Sequence, residues 1–490
     1  MEETNSDNDD QITNSINDDT NEEEDDENSD DEYEGEFLVL NRKDGLERLK
    51  QNDQNITYLS VQLNCDGNGE CFFNSIDWKV DGECISNNTH IKGLHITYHG
   101  VPFGRPHAQK YTLGEQGDNL PTKEKLQDFF SCIYRNSSIR NLGFSSVSIN
   151  NNFSARLLGG LGDHPSLKSL EFEHGYFGSL VCSALGKVLK HPKSKLKKLR
   201  LSHNGLDNVG IICLSDALLG ISRMKMLCIS YNHQITSDGW RQLSTVISDP
   251  NCKLVALDIS NTGMNDEGVE SLGSTLNGST IEVLNLVSNK YVSRAGWHKL
   301  LNHLSQTSIV HLNLGRNEID NGGLAALATV GSLKSLDLHH NQSITPSGWC
   351  TFFNLLQRIG TQLVKLDISR NKVGDEGAAV LGNLLRSMTA LKTLQMNSIA
   401  SITAQGWVSF FNALQDTDLD LESFSVFNNK IDDEGIRHLV PLVSNMGSLK
   451  DILLLINRQV TPTGWQTFAR YLQSPNFAFG ELDIGKKQYK

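Results

Sequence analysis

The sequence predicts an α/β solenoid, a long array in which each repeat contributes one short strand and one helix. Two observations predict this fold. A Leu-x-x-Leu-x-Leu pattern recurs at intervals of 24 to 30 residues over most of the chain. A second motif, Thr/Ser-x-x-Gly-Trp, returns five times, with its tryptophans at Trp240, Trp297, Trp349, Trp407 and Trp465. Motifs that return at nearly fixed distances indicate one structural unit stacked many times.

The Leu-x-x-Leu-x-Leu pattern predicts the strand of each unit, because its apolar residues include a short alternation of period two. We number each unit from the first apolar residue of this pattern, the repeat start. Clear starts are Leu167, Leu196, Met224, Leu254, Ile281, Ile309, Leu333, Leu363, Leu391, Leu421, Leu449 and Phe479, and weaker ones are Ile56, Ile91 and Ile139. The sequence therefore predicts about fifteen units, the last cut short by the chain end.

An asparagine eight residues after the start marks the exit from most strands. These positions are Asn204, Asn232, Asn289, Asn317, Asn341, Asn371, Asn429 and Asn457. A buried Asn can satisfy backbone groups of neighbouring turns that would otherwise have no partner. The series is interrupted at Thr262 and Ile399, where we expect a local irregularity.

A helix follows each strand. The Thr or Ser that opens each Trp motif is a good N-cap, and Pro346 and Pro462 fall at the first helical position, which tolerates proline. In the shorter units Asp207, Asn265, Asp320 and Asp432 are the expected caps, with an exception at Gly374. The Trp opens an apolar stripe at i, i+3, i+4 and i+7, which predicts a helix packed against the sheet. The Gly before it is expected to allow close approach to the strand layer.

The chain divides into three parts. Residues 1–36 carry 18 Asp and Glu and no Lys or Arg, which predicts a disordered acidic tail. Residues 37–90, with a helix around Lys43–Lys50, are expected to form an N-terminal cap and first irregular repeat. The array then spans 91–490. It is interrupted by a Gly- and Pro-bearing loop at about 100–122, and a helix at Lys123–Arg135 resumes it.

Charge and composition limit the function. The net charge of −14 belongs to the tail, since the other 454 residues carry 44 basic and 40 acidic groups. The basic residues form no continuous tract, which disfavours nucleic-acid binding. No apolar run is long enough to span a membrane and no signal peptide is evident, so we expect a cytoplasmic protein, with the nucleus as an alternative. The nine scattered cysteines show no metal spacing and are expected to be reduced thiols.

No catalytic motif is evident. The sequence contains no phosphate-binding glycine loop, no Gly-x-Ser-x-Gly elbow and no His-Glu-x-x-His. We therefore expect neither an enzyme nor a bound cofactor or metal.

The unit Leu-x-x-Leu-x-Leu-x-x-Asn followed by a capped helix resembles the leucine-rich repeat of the ribonuclease-inhibitor-like subtype. A short unit such as the one from Leu363 to Gly377 alternates with a longer Trp unit, as is typical of that subtype. The resemblance implies a horseshoe with a parallel sheet on the concave face and α-helices on the convex face. It does not specify function, since the fold serves many roles.

The resemblance also predicts where a partner would bind. Positions +2, +4, +6 and +7 of each unit are expected to face the concave side. An Asp/Asn column at +4 (Asp258, Asn285, Asn313, Asp337, Asp367) is most simply a solvated ladder. Beside it lies a basic and imidazole patch, and towards the C-terminus the wall turns apolar. The candidate partner-binding residues are His311, Arg316, His339, His340, Lys365 and Arg370 in the patch, and Phe427, Leu453, Leu455 and Ile456 in the apolar group.

These features predict a non-enzymatic scaffold that binds another protein, of unknown identity, on its concave face. The patch would suit an acidic partner or the protein's own tail, while the tail itself would suit a basic partner. An ordinary polar wall without a ligand is the alternative explanation of the patch. Two other functions stay open: a GTPase-activating protein resembling the Ran activators, which also carry an acidic segment, and a sensor module resembling the repeat half of NOD-like receptors.

Overall fold

The described part of the chain forms a single parallel sheet of fifteen strands with helices along one side. The computed structural model describes residues 36–39, 43–64, 78–99, 123–145, 158–175, 179–359, 362–415 and 417–472. Within these residues the strands follow one another in chain order, and each pairs in parallel with the next. Because every connection between successive strands runs in the same direction, the chain advances by one strand per unit. This confirms the predicted solenoid.

The described strands fall at the predicted repeat starts. They are β1 Glu36–Val39, β2 Ile56–Asn64, β3 Gly93–His99, β4 Asn141–Ser145, β5 Ser169–Glu173, β6 Lys198–Arg200, β7 Met226–Cys228, β8 Ala256–Asp258, β9 Val283–Asn285, β10 His311–Asn313, β11 Ser335–Asp337, β12 Lys365–Asp367, β13 Thr393–Gln395, β14 Ser423–Ser425 and β15 Asp451–Leu453. Strand β1 has no leucine pattern and was not predicted. The unit expected from Phe479, the tail to residue 35 and the loop at 100–122 lie outside the described residues.

The helices form the second layer, on the convex side. Those with described bounds are α1 Lys43–Lys50, α2 Trp78–Asn87, α3 Lys123–Arg135, α4 Ser179–Lys190, α5 Asn208–Leu218, α6 Ser237–Ile247, α7 Asp266–Leu276, α8 Arg294–His303, α9 Asn321–Leu327, α10 Pro346–Ile359, α11 Gly374–Leu385, α12 Ala404–Ala413, α13 Asp433–Ser444 and α14 Pro462–Leu472. The helices α1 to α3 pack in succession, and so do α4 to α14. The predicted helices at 43–50 and 123–135 are confirmed. None of these helices is both long and apolar enough to cross a membrane.

The core lies between the two layers, and the repeat leucines fill it. The leucines and isoleucines at +3 and +5, such as Leu336 and Leu338 in β11 and after it, are fully buried. The helix stripes meet them from the other side: Trp349, Phe352 and Phe353 of α10 are each no more than 1% exposed. The assignment of the Trp motif to the core is therefore confirmed.

The asparagines after the strands form a continuous ladder, as predicted. Asn371 illustrates the geometry: its Nδ2 donates to the carbonyls of Leu338, in the preceding unit, and Ile368, in its own, at 2.9 and 3.0 Å. Its Oδ1 accepts from the backbone N–H of Asn341 at 2.8 Å. Each amide thus joins two neighbouring units.

The irregularity expected where the ladder lacks Asn is absent, and that prediction was wrong. Thr262 donates its hydroxyl to the carbonyl of Ile259 at 3.0 Å, the bond that an Asn amide makes elsewhere. At Ile399 the backbone N–H still donates to Asn429 Oδ1 of the next unit at 2.8 Å. The strands on either side stay in register at both places because these bonds replace part of the ladder.

Most predicted helix caps and both prolines follow the sequence: α10 and α14 begin at Pro346 and Pro462, whereas Thr236, at the cap position of α6, makes no side-chain capping bond. Asp207, Asn265, Asp320 and Asp432 accept from backbone N–H groups of the first helical turn. The expected exception at Gly374 is confirmed. The helix α11 begins at Gly374, one residue earlier in its unit than the helices of the other short units, and Val373 is its cap residue.

The Gly before each Trp has a different neighbour from the one expected. A Cβ at Gly406 would overlap the carboxyl of Asp375, which belongs to the preceding unit, as well as Ile402 of its own unit. Gly239, Gly296, Gly348 and Gly464 lie in the same way against Asn208, Asp266, Asn321 and Asp433. The glycine makes room for a neighbouring repeat's side chain rather than for the strand layer.

Candidate partner-binding surface

The concave face is built from rows of side chains that run across the strands. Strand β11 pairs in register with β10 and β12, so Ser335 lies between His311 and Lys365, and Asp337 lies between Asn313 and Asp367. Positions +2 and +4 therefore form two parallel rows about 7 Å apart along each strand.

The Asp/Asn row at +4 has a structural role, in addition to any contact that its side chains make with solvent or a partner. In each of its five members Oδ1 accepts the backbone N–H of the residue two positions later. Asp258 and Asp367 are also buried, at 8% and 9% exposed. These carboxyl and amide groups end the strands by satisfying the N–H at +6, so the row is more than a solvated ladder.

A third row, which we call the rim, lies just beyond the strands at +7. Every described rim residue from unit 167 onwards has a left-handed backbone, with φ between 49° and 60°. The rim consists of His174, His203, Tyr231, Asn261, Ser288, Arg316, His340, Arg370, Ser398, Asn428 and Ile456. Since a left-handed conformation costs about 1–2 kcal/mol for most side chains, the turn before the ladder Asn imposes it on whichever residue stands there.

Three successive rim residues form the basic stretch: Arg316, His340 and Arg370. Arg316 and His340 are exposed, and Arg370 is half-buried. Burial and the charges of the two flanking arginines lower the pKa of His340. The positive charge of the basic stretch at neutral pH therefore comes from the arginines, with a neutral imidazole between them.

The structure separates the other predicted basic residues from this stretch. His311 and Lys365 lie at +2, towards the opposite ends of the strands, two strands apart in one row. Burial, followed by the charges of Lys334 and Lys365, lowers the pKa of His311. The patch predicted as one unit is thus two groups, with the +4 row between them.

His339 lies between the two groups and is engaged by an acid. Its Nδ1 is 2.7 Å from Asp337 Oδ1. Burial opposes protonation of His339, but the hydrogen bond and charge of Asp337 outweigh it and raise the pKa. Asp367, across the strand pair, has its pKa raised to about 6, first by burial and then by the charge of Asp337. His339 was predicted as a partner-binding residue, and its cluster with Asp337 and Asp367 was not predicted.

The apolar group occupies the last two described units. Phe427, Leu453 and Leu455 are half-buried, and Ile456 is 36% exposed. Ser425 and Leu453 pair in register across β14 and β15, which brings the members of this group onto adjacent strands. The structure therefore brings these four residues together, and places them at a different part of the concave side from the basic stretch.

An aromatic stack on the rim was not predicted. The rings of His174 and His203 lie 4.3 Å apart, and those of His203 and Tyr231 lie 4.0 Å apart and nearly parallel. All three stand at +7 of consecutive units, so reading that one position down the whole array would have found them.

Comparison with known proteins agrees with this architecture. A family model described as Leucine Rich repeat matches residues 193–215, 251–273, 305–328 and 361–382. The chain is 27% identical to the ribonuclease inhibitor of Sus scrofa over 390 residues, which cover 77% of this chain and 84% of that protein.

More distant similarities extend to larger proteins. The chain is 22% identical to the NACHT, LRR and PYD domains-containing protein 14 of Mus musculus over 328 residues, 66% of this chain but 30% of that protein. Among solved structures, the complex of Rad7 and Elc1 in yeast aligns with a TM-score of 0.45 and 13% identity, over 79% of each chain. The repeats, the ladder and the sequence relatives together support a leucine-rich-repeat array similar to that of the ribonuclease inhibitors.

Proposed function

We propose that this protein is a non-enzymatic scaffold that binds an acidic protein partner along its concave face. A leucine-rich-repeat array is suited to protein binding, and relatives named as a ribonuclease inhibitor and as multidomain NACHT proteins support such a role. The observation that carries the proposal is the basic stretch of the rim, in which two arginines flank a neutral histidine on consecutive units.

The spacing of these groups favours a carboxylate-bearing surface. Neighbouring strands lie about 4.8 Å apart, so the backbones of Arg316 and Arg370 are separated by about 10 Å. Two acidic residues three positions apart in an extended segment are separated by about the same distance. Each guanidinium can hold a carboxylate by two parallel hydrogen bonds, and His340 between them can accept or donate one more.

The apolar group supplies a second contact. It begins two strands beyond Arg370, on β14, and continues onto β15. From β10 to β15 the proposed surface spans about 24 Å, the width of a folded partner rather than of a short peptide. Exposed apolar groups next to a charged row are typical of protein interfaces, in which the apolar part supplies affinity and the charges supply register.

Charge reversal tests the basic stretch. The double variant Arg316→Glu/Arg370→Glu should lose the partner captured by the wild-type protein in crosslinking and mass spectrometry from cell lysate, while its circular dichroism spectrum stays unchanged. Lys187→Glu/Lys190→Glu is the matched control, because it makes the same change in net charge on exposed positions of the convex helix α4. Equal capture by both variants would contradict the proposal.

The acidic tail is an alternative occupant of the basic stretch. A protein lacking residues 1–36 should bind the partner more tightly if the tail competes for the rim, and with unchanged affinity if it does not.

GTP hydrolysis by candidate small GTPases, measured with and without the full protein, tests the non-enzymatic part of the proposal. Stimulated hydrolysis would replace the scaffold with a GTPase-activating role.

A further inference from the structure

We propose that Asp337, His339 and Asp367 form a binding site for a divalent transition-metal ion, with Zn²⁺ as the best match, on the concave face. One ligand atom from each side chain lies within 4.8 Å of those of the other two. The inference does not depend on the scaffold function, since the site is complete within one chain.

The sheet itself assembles the three ligands. Asp337 and Asp367 are register partners on β11 and β12, so their carboxyl groups leave the sheet side by side. His339 follows Asp337 by two residues, which places it on the same face. Its backbone N–H donates to Asp337 Oδ1 at 2.9 Å, and this bond fixes the relative position of the two residues.

The neighbouring unit leaves space for the imidazole. Gly315 occupies the +6 position of β10's unit, next to His339, and a Cβ there would overlap the His339 ring. Phe427 and Leu455 occupy +6 in the C-terminal units, so a side chain at this position is tolerated elsewhere. A glycine at 315 is what leaves room for the ring beside Asp337.

The electrostatics of the cluster favour a cation. Two carboxyl groups lie together, and Asp367 is only 9% exposed. Two groups that can carry positive charge act on the cluster: the imidazole, which is bonded to Asp337, and Arg316 of the preceding unit. Ser369 adds a backbone N–H to Asp367 at 2.8 Å but no charge. A divalent ion would neutralise both carboxylates at once.

The donor set selects the kind of ion. One imidazole nitrogen and two carboxylate oxygens suit Zn²⁺ and neighbouring first-row ions rather than Ca²⁺, which prefers six or more oxygens. Bonds of about 2.1 Å at a tetrahedral angle require ligand atoms about 3.4 Å apart. His339 Nδ1 and Asp337 Oδ1 would therefore separate slightly from 2.7 Å as the ion replaces the proton between them. The side chains of His339 and Asp337 are 22% and 21% exposed, so further coordination positions face solvent.

Metal titration of the purified full chain tests the site. Isothermal titration with Zn²⁺ should show about one equivalent bound by the wild type that is lost in His339→Ala and Asp367→Asn. Loss of a direct ligand should weaken this binding by more than the ~10–100-fold typical of losing an outer partner. Co²⁺ in place of Zn²⁺ should give a visible absorption band in the wild type and not in His339→Ala.

The matched control is His340→Ala, which removes the exposed imidazole next to the site and should bind Zn²⁺ like the wild type. If Asp367→Asn alters the circular dichroism spectrum, His339→Gln, at a partly exposed position, decides the question. Equal Zn²⁺ stoichiometry and affinity in the wild type and in His339→Ala would overturn the proposal. Absence of bound Zn²⁺ in the wild type would also overturn it, and would leave the cluster as a His–Asp ion pair.

Discussion

Asp375, in the first turn of α11, and Thr403, the N-cap residue of α12, are joined by two hydrogen bonds. The backbone N–H of Thr403 donates to Asp375 Oδ1 and its hydroxyl donates to Asp375 Oδ2, both at 2.7 Å. A pair of hydrogen bonds joins each of the other four Trp units to the short unit before it. Asp266 and Asp433 accept from the N–H and the hydroxyl of Ser293 and Thr461. Asn208 and Asn321 accept from the N–H of Thr236 and Thr345 through Oδ1 and donate from Nδ2 to the hydroxyl oxygen. The cap of every Trp helix is therefore held by its neighbour.

Removing this bond should weaken the array. Asp375→Ala should lower the free energy of unfolding by about 1–2 kcal/mol, because it deletes two hydrogen bonds to a charged group at an exposed position. Asp375→Asn is the matched control and should cost much less, since Asn208 and Asn321 make both bonds in their own units. Urea denaturation of the three proteins measures the difference. Equal losses in the two variants would show that the carboxylate charge, not the bonding pattern, is what matters.

The glycine of the Trp motif should be energetically coupled to this pair. Gly406→Ala should destabilise the protein by about 1–3 kcal/mol through overlap with Asp375 and Ile402. In Asp375→Ala/Gly406→Ala the carboxyl is gone, so the double variant should lose less than the sum of the single losses. A double-mutant cycle from denaturation curves gives the coupling energy. Strict additivity would mean that Ile402 alone opposes a side chain at 406.

The buried tryptophans should tolerate phenylalanine better than alanine. Trp349→Ala should cost about 3–5 kcal/mol because it leaves a large cavity. Trp349→Phe should cost clearly less. Among the described residues the indole Nε1 of Trp349 has no hydrogen-bond partner, and phenylalanine removes that buried group and its desolvation penalty of about 1–3 kcal/mol. Thermal or urea unfolding compares the variants. A loss of less than about 1 kcal/mol in the free energy of unfolding for Trp349→Ala would contradict the assignment of this tryptophan to the core.

One junction between units should make stability depend on pH. Asp420 accepts from the hydroxyl and the N–H of Ser448 at 2.5 and 2.9 Å, and these bonds hold its pKa below the ordinary value of 3.8. A lowered pKa in the folded state stabilises the protein above the unfolded value, and this stabilisation is lost as the pH falls through the folded value. Asp420→Asn should therefore be less stable than the wild type at neutral pH, with the gap closing below about pH 4. A gap that stays constant down to pH 2 would contradict this.

The rim residue Ile456 should oppose stability while it supports binding. Its φ of 60° is unfavourable for a β-branched side chain, so Ile456→Asn should stabilise the fold by about 1 kcal/mol. The same change removes an exposed member of the apolar group and should weaken capture of the partner. Asn428→Ile, at the equivalent position one unit earlier, is the mirror control and should destabilise. Unfolding curves measure the stability of both variants, and capture from lysate measures their binding of the partner. A loss of stability in Ile456→Asn would contradict the strain argument.

Much of the fold could be predicted because each unit repeats the same local signals. The leucine alternation, the Asn at +8 and the capped Trp helix each placed an element where the structure has it. Two expectations were wrong for one reason. Thr262 donates to Asn289 Oδ1 of the next unit, and Gly406 makes room for Asp375 of the preceding one. The pattern within one unit does not show these side chains.

The concave surface was less predictable than the fold. The +7 position in each repeat unit predicted Arg316, His340 and Arg370 as concave-face residues, and the structure brings them together on the rim. Repeat positions alone did not predict that the +4 side chains accept the backbone N–H groups at the strand ends. They also did not predict that His339 turns towards Asp337 instead of joining the basic stretch. Which way a polar side chain turns is decided by the free space and charges beside it, and Gly315 in the preceding unit supplies that space for His339.

The junction between an Asp or Asn and the Thr or Ser cap occurs once in every two units from unit 196 to unit 449, always from a short unit to the Trp unit that follows. Deleting a short unit together with its Trp unit leaves a Trp unit followed by a short unit, as elsewhere in the array. Deleting a single unit places two units of the same type next to each other and removes one junction. Natural variation in the length of this protein should therefore proceed in steps of about 57 residues, because the inheritable module is the pair and not the single repeat.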